Sequence, residues 1–340
     1  MSWPNKICKI ILLTGFIAAV EVPAFAQEHS PAEEQQLTRL KVIDAALAKT
    51  EVEFFEQPPA PEVYSFSNEN SFGLTEAREN IIDAALKKCS IEAGVELFFY
   101  RYEEPDFAKL MGIMQGFYTK YTYRPSFDGF LYTAVTNLYK IEGRYGKADV
   151  DYTSSGSGSD DNIPDWAVEL RGILGKEYVN EPFRTVLYSG AGYRYLSDNS
   201  SGRLTDRGAY GYKRESNYYY LPAGFEFSNQ MNNAWAFTVS GEYDWLIYGL
   251  QKSYLDDGRR FTGLPSDDTK NPQHQGYGLR GSVRLTRESS LVDFMLEPFV
   301  RYWNIKDSDI VAATVNGSAS SGMEPANNTI EAGVKIGLQF

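Results

Sequence analysis

The segment TIEAGVKIGLQF, residues 329–340, poses the question of fold. Ile330, Ala332, Val334, Ile336, Leu338 and Phe340 share one parity, and Glu331, Gly333, Lys335, Gly337 and Gln339 share the other. That pattern is a β-strand with one apolar and one polar face. In a soluble sandwich the apolar face would meet a second sheet. In a closed membrane barrel it would meet lipid, and the polar face would line the lumen.

Working back from this strand, similar alternation recurs at 94–102, 112–124, 137–145, 166–178, 184–196, 217–227, 234–249, 276–285 and 291–303. The segments are joined by connections of alternating length. VNEP (179–182), SNQMNN (228–233) and TRESS (286–290) are short, whereas the connections at 154–165, 197–216, 250–275 and 304–328 are long and polar. Long loops alternating with tight turns are the pattern of a transmembrane barrel. The expectation is therefore an all-β fold, a closed antiparallel transmembrane β-barrel of about ten strands over 92–340. The short EEPDFAKLM (103–111) and the long PSFDGFLYTAVT (125–136) fit this alternation less well, so counts of eight or twelve stay open.

Sorting each segment by parity sharpens the choice. One face collects Leu170, Leu187, Leu221, Val239, Leu279, Val300 and their neighbours, with aromatic residues toward the strand ends. The other face collects the acids Glu96, Glu142, Glu169, Glu226, Glu242, Asp244, Glu297 and Glu331. It also collects the bases Lys120, Arg144, Arg171, Arg194, Arg280, Arg284, Arg301 and Lys335, which gives eight against eight. Each such charge in hydrocarbon would cost about 2–4 kcal/mol. Placed inside a narrow barrel, the two signs can neutralise one another as a lumen charge network. Arg101 falls on the apolar parity near a strand end, either snorkelling to the headgroups or marking an error of register.

The start of the chain differs in kind. Lys6 and Lys9, the apolar run 10–20 and AFA (24–26) read as a secretory signal peptide over 1–26. Residues 27–91 contain two amphipathic helical patterns around a Pro-rich linker, read as a periplasmic helical leader that is in part disordered. Cleavage after Ala26 would leave Cys89 as the one cysteine, so the barrel is expected to stand without a disulfide of its own. A formal charge of −12 argues against nucleic acid as a partner. The mean hydropathy of −0.38, beside 24 Tyr, 20 Phe and 5 Trp, suits strands of which only half the residues face lipid.

With Phe340 closing the alternating stretch KIGLQF, and with the stretches ELFFYRYEEP, DNIPDW and SGAGYRYL, the sequence resembles Gram-negative outer-membrane β-barrel proteins of the porin-like superfamily, in particular a poorly characterised exported group. The resemblance implies residence in the outer membrane, contact with its lipid and lipopolysaccharide, and Phe340 as a signal to the barrel assembly machinery. It implies no activity. Ten-stranded barrels of the omptin type are proteases, with an Asp pair and a His–Asp pair on the rim. Here the candidates are His274 with Asp267 and Asp268, and no omptin motif surrounds them. A solitary loop His is ordinarily a solvated residue. No Cys/His spacing points to a metal and no Gly-rich loop to a nucleotide, so no cofactor is expected. The functional expectation is a non-enzymatic barrel with a narrow or plugged lumen and long external loops. The alternatives are a small-solute channel, an adhesin or receptor, and a rim hydrolase.

Overall fold

The computed structural model describes residues 88–125, 131–232, 234–289 and 291–340. The expected signal peptide and nearly all of the expected leader lie outside these residues. Alternating side chains form strands β1 (Cys89–Glu104), β2 (Ala108–Tyr123), β3 (Leu138–Ser154), β4 (Gly158–Asn180), β5 (Phe183–Asn199), β6 (Lys213–Asn232) and β7 (Trp235–Ser253). They continue with β8 (Thr269–Gln273), β9 (Gly276–Arg287), β10 (Asp293–Ile305), β11 (Val311–Val315), β12 (Ser318–Gly322) and β13 (Asn327–Gln339). Ten of these close a ring of antiparallel neighbours in the order β1, β2, β3, β4, β5, β6, β7, β9, β10, β13, with β13 returning to β1. Short β8 pairs with the length of β7 beyond β9, and β11 pairs with β12 as a separate hairpin.

The closing seam is the strand from which the reading began. Glu92 lies opposite Gln339 and Glu103 opposite Asn328, and the backbones of Ile91 and Phe340 exchange hydrogen bonds of 3.1 and 2.9 Å. Both termini of the barrel thus lie at one end, with the short connections after β4, β6 and β9. This is the turn end; the opposite one is the loop end.

The connection expected at 154–165 is not a long loop. β3 runs to Ser154 and β4 starts at Gly158, leaving only 155–157 to turn. The reason is continued burial on the inner face, where Val150 and Ile163 are almost wholly covered. The two irregular connections are real: β1 and β2 join tightly through 105–107, and β2 and β3 through the long 124–137. Arg101 points outward near the loop end and pairs with Glu103, so the register of β1 stands.

Outside, Val95, Leu97, Ile113, Phe117, Leu170, Leu174, Leu187, Val283 and Val300 stand exposed around the ring, Leu170 at 57%. Such a continuous apolar surface requires a hydrocarbon surround. Aromatic rows frame it. Toward the loop end Phe117, Tyr145, Trp166 and Tyr195 follow one another across β2 to β5 at centroid spacings of 5.5, 6.2 and 4.8 Å. Toward the turn end Tyr123 meets Tyr139 and Phe183 stacks on Phe227. On β6 the interval from Tyr219 to Phe227 spans roughly 25 Å along the strand, about 20 Å once tilted, most of the ~25 Å height of an outer-membrane belt. The packed core therefore lies inside the ring, toward the loop end. Phe98, Tyr100, Tyr102, Leu110, Met114, Val150, Ile163 and Phe299 form one cluster, and Ala167, Leu196, Tyr218, Tyr220, Leu246, Trp303 and Ile305 another.

Candidate functional site

Beneath this apolar plug, every acid and base assigned by parity to the lumen points inward. Strand alternation places them and antiparallel register faces them across neighbouring strands: Glu142 lies opposite Arg171, Glu169 opposite Arg194, Glu242 opposite Arg280 and Arg301 opposite Glu331. Longer contacts cross the lumen. Glu331 on β13 accepts from Arg194 on β5, half the ring away, at 3.0 Å, from Arg144 on β3 at 2.9 Å and from Arg301 on β10 at 2.9 Å. Glu96 accepts from Arg144 at 3.3 Å and Arg301 at 2.9 Å. Glu169 accepts from Arg144 at 2.7 Å, from Arg280 at 2.5 Å and from the Tyr220 hydroxyl at 2.5 Å. Arg280 also meets Asp244 at 2.6 Å and Glu242 at 3.0 Å, and Arg171 bridges Glu242 and Glu142.

The guanidiniums are held from the apolar side too. Arg301 lies 4.0 Å from the ring centroid of Phe299 and Arg194 lies 5.4 Å from that of Trp303, geometries in which the ring faces attract the cation. Arg194 and Asp244 have no measurable exposure, and Glu331 has 1%.

Nearer the turn end Arg284 meets Glu92 at 3.0 Å and Glu297 at 2.6 Å, Lys335 meets Glu297 at 3.1 Å, and Lys120 meets Glu92. Lys140 meets Glu226 at 2.6 Å, where half-exposed hydroxyl pairs, Ser228 with Thr238 and Ser240 with Ser282, line the wall.

The sequence tally of eight against eight was incomplete. Lys140 and Glu177 lie within expected strands on the inner parity and were legible by the same rule; Glu177 binds Arg124 at 2.9 Å and Arg184 at 3.5 Å. Glu92, Glu104, Asp165, Asp198 and Arg214 fell just beyond the expected strand ends. They line the lumen because the strands are longer. The inner aromatic residues carried a further signal: Tyr100, Tyr102, Tyr218, Tyr220 and Trp303 sit on the charged parity and build the plug.

On the rim, His274 does not meet Asp267 or Asp268. Its Nε2 lies 3.2 Å from Asp309, both side chains exposed, while Asp267 accepts from the Thr314 amide at 2.6 Å and Asp268 from that of Asp256 at 3.3 Å. Those acids order the loop. The Thr314 amide accordingly holds the Asp267 carboxyl below the usual range. Phe340, the expected assembly signal, faces outward and is half exposed.

No family model matches the sequence, and a search of curated proteins finds no match. Solved structures do align with this chain. The outer membrane protease OmpT from Escherichia coli aligns with a TM-score of 0.52 at 10% identity, over 75% of this chain and 96% of that one. The translocator domain of the autotransporter NalP from Neisseria meningitidis aligns with a TM-score of 0.37 at 8% identity, over 79% and 95%. The attachment invasion locus protein Ail of Yersinia pestis aligns with a TM-score of 0.25 at 11% identity, over 74% and 99%. At such identities only architecture is shared. The chain has the closed ten-stranded fold of an outer-membrane β-barrel protein.

Proposed function

We propose that this is a non-enzymatic barrel of the Gram-negative outer membrane whose lumen is closed to solutes, and whose long loops present a surface to the exterior. On this reading the turn end faces the periplasm, where the leader emerges, and the apolar belt contacts lipid and lipopolysaccharide. Phe340 is the residue offered to the barrel assembly machinery. The observation that carries the reading is the contact of Arg194 with Glu331 across the full width of the ring, in a layer with almost no exposure, capped by two apolar clusters. A water-filled pore would keep such charges apart and hydrated.

A second reading, a small-solute channel, draws on the turn-end half of the lumen, where Glu226 and Glu142 keep 28% and 26% side-chain exposure. Planar bilayers separate the two. Purified protein should leave the membrane current at baseline, and reproducible unitary steps would establish the channel instead.

A further inference from the structure

The loop end of the lumen is covered by the connection between β10 and β13, which is stitched to the barrel by the exposed His274–Asp309 and Asp267–Thr314 contacts and, further in, by uncharged groups. Buried Asn271 of β8 donates to the carbonyls of Asp309 and Gly322, both at 3.3 Å, and buried Gln273 donates to that of Lys306 at 3.1 Å. Within the connection Ser308 and Glu324 pair through backbone and hydroxyl at 3.0 and 2.8 Å.

One acidic side chain then dips from this connection into the mouth. Glu324 is 7% exposed, and its Oε1 lies 3.5 Å from the Tyr102 hydroxyl and 3.7 Å from Arg214. Arg214 is already committed elsewhere. It donates to Glu104 at 2.5 Å and to Asp198 at 3.1 and 3.0 Å, and Tyr102 donates to Glu104 at 3.1 Å. The groups facing Glu324 are thus Tyr102 and Glu104 from β1, Asp198 from β5, Arg214 from β6, and half-buried Tyr212 from the connection before β6. A single guanidinium serves three carboxyls there. Buried Asp165, opposite Asp198 in register, adds a fourth acid with one oxygen unpartnered.

We propose that the 306–326 connection is a lid on the external mouth, held shut by a proton on the Glu324 carboxyl, so that it closes in mildly acid medium and loosens in alkaline medium. The geometry supplies the reason: a neutral Glu324 fits beside Glu104, whereas an ionised one meets a like charge with only Arg214, already bonded to Glu104 and Asp198, to offset it. Electrostatics agree in sign. Burial pushes Glu324 up to about 7, with Arg214 opposing and Glu104 adding to the rise. A carboxyl raised on closing favours the closed state when protonated, and that advantage fades as pH climbs from the ordinary carboxylate range through about 7. The lid does not depend on whether the barrel conducts.

Amide hydrogen exchange of 308–324 in detergent-folded protein tests it, comparing wild type with Glu324→Gln at each pH so that intrinsic chemistry cancels. The ratio of the wild-type rate to the variant's should rise by about thirtyfold between pH 5.5 and pH 8.5, since one proton is linked to opening, tenfold per pH unit, until Glu324 ionises in the closed state at about 7. A ratio unchanged between these pH values overturns the lid. Glu104→Gln, which removes the repelling charge from β1, should give the same trend and serves if the first variant yields no heat-modifiable barrel; a flat ratio there overturns the lid equally.

Discussion

Glu331 is the residue on which the lumen network converges, and its loss isolates more charge than any pairwise contact suggests. Glu331→Ala would leave Arg144, Arg194 and Arg301 each short of a carboxylate in a buried layer. Breaking a buried pair from one side costs about 3–5 kcal/mol, so denaturant unfolding in detergent should show a loss of at least that size, and Glu331→Gln a smaller one. Gly192 sets a second test. A Cβ there would lie 2.2 Å from the Tyr220 ring, whose hydroxyl reaches Glu169. Gly192→Val should therefore destabilise by about 1–3 kcal/mol, measured in the same way. Parity made the charged residues legible in sequence, because alternation alone decides which face a side chain takes. Partner choice was not legible: nothing in the order of residues says that Arg194 reaches Glu331 across the ring and not Glu169 beside it. Gly192 was equally silent, since its role is set by a ring on a neighbouring strand.

At the scale of the element, every expected strand is present, and the errors lie in length and in the short strands β8, β11 and β12, which fall inside stretches read as loops. Expected ends were placed where apolar alternation on the outer face stops, yet the inner face stays buried beyond that point. The 154–165 stretch looked like a loop for its Gly, Ser and Asp content, although Ile163 and Asp165 keep the inward rhythm. The final strand carries a prediction of its own. Phe340 contributes two backbone bonds to Ile91 at the closing seam, and an outward ring at the edge of the belt. Deleting Phe340 should lower the folded yield, read as the heat-modifiable fraction on gels, whereas Phe340→Tyr should preserve it. Equal yields from the deletion and the intact chain would remove the residue from assembly.

For the whole molecule, ring closure follows from composition and alternation together: a chain with charges on one face and hydrocarbon on the other leaves no edge strand open once lipid surrounds it. A charge placed in the belt should therefore be felt. Leu170→Arg should cost about 2–4 kcal/mol in lipid, and the same substitution at Thr153, above the belt, almost nothing; equal costs in vesicle unfolding would mean that lipid does not cover Leu170. The orientation of the molecule also has a practical reading. β4 begins at Gly158, well before Trp166 in the aromatic row, so the 155–157 turn is lifted roughly 20 Å clear of the belt. Arg207 donates to the carbonyl of Ser155 at 2.8 Å, while a Cβ added at Gly156 would meet nothing. A peptide tag spliced in at that tip should be stained by antibody on intact cells, while one placed after Asn180 should be stained only once they are lysed. On the proposed orientation the hairpin is a ready-made display mast on the side of the envelope that the cell shows to its surroundings.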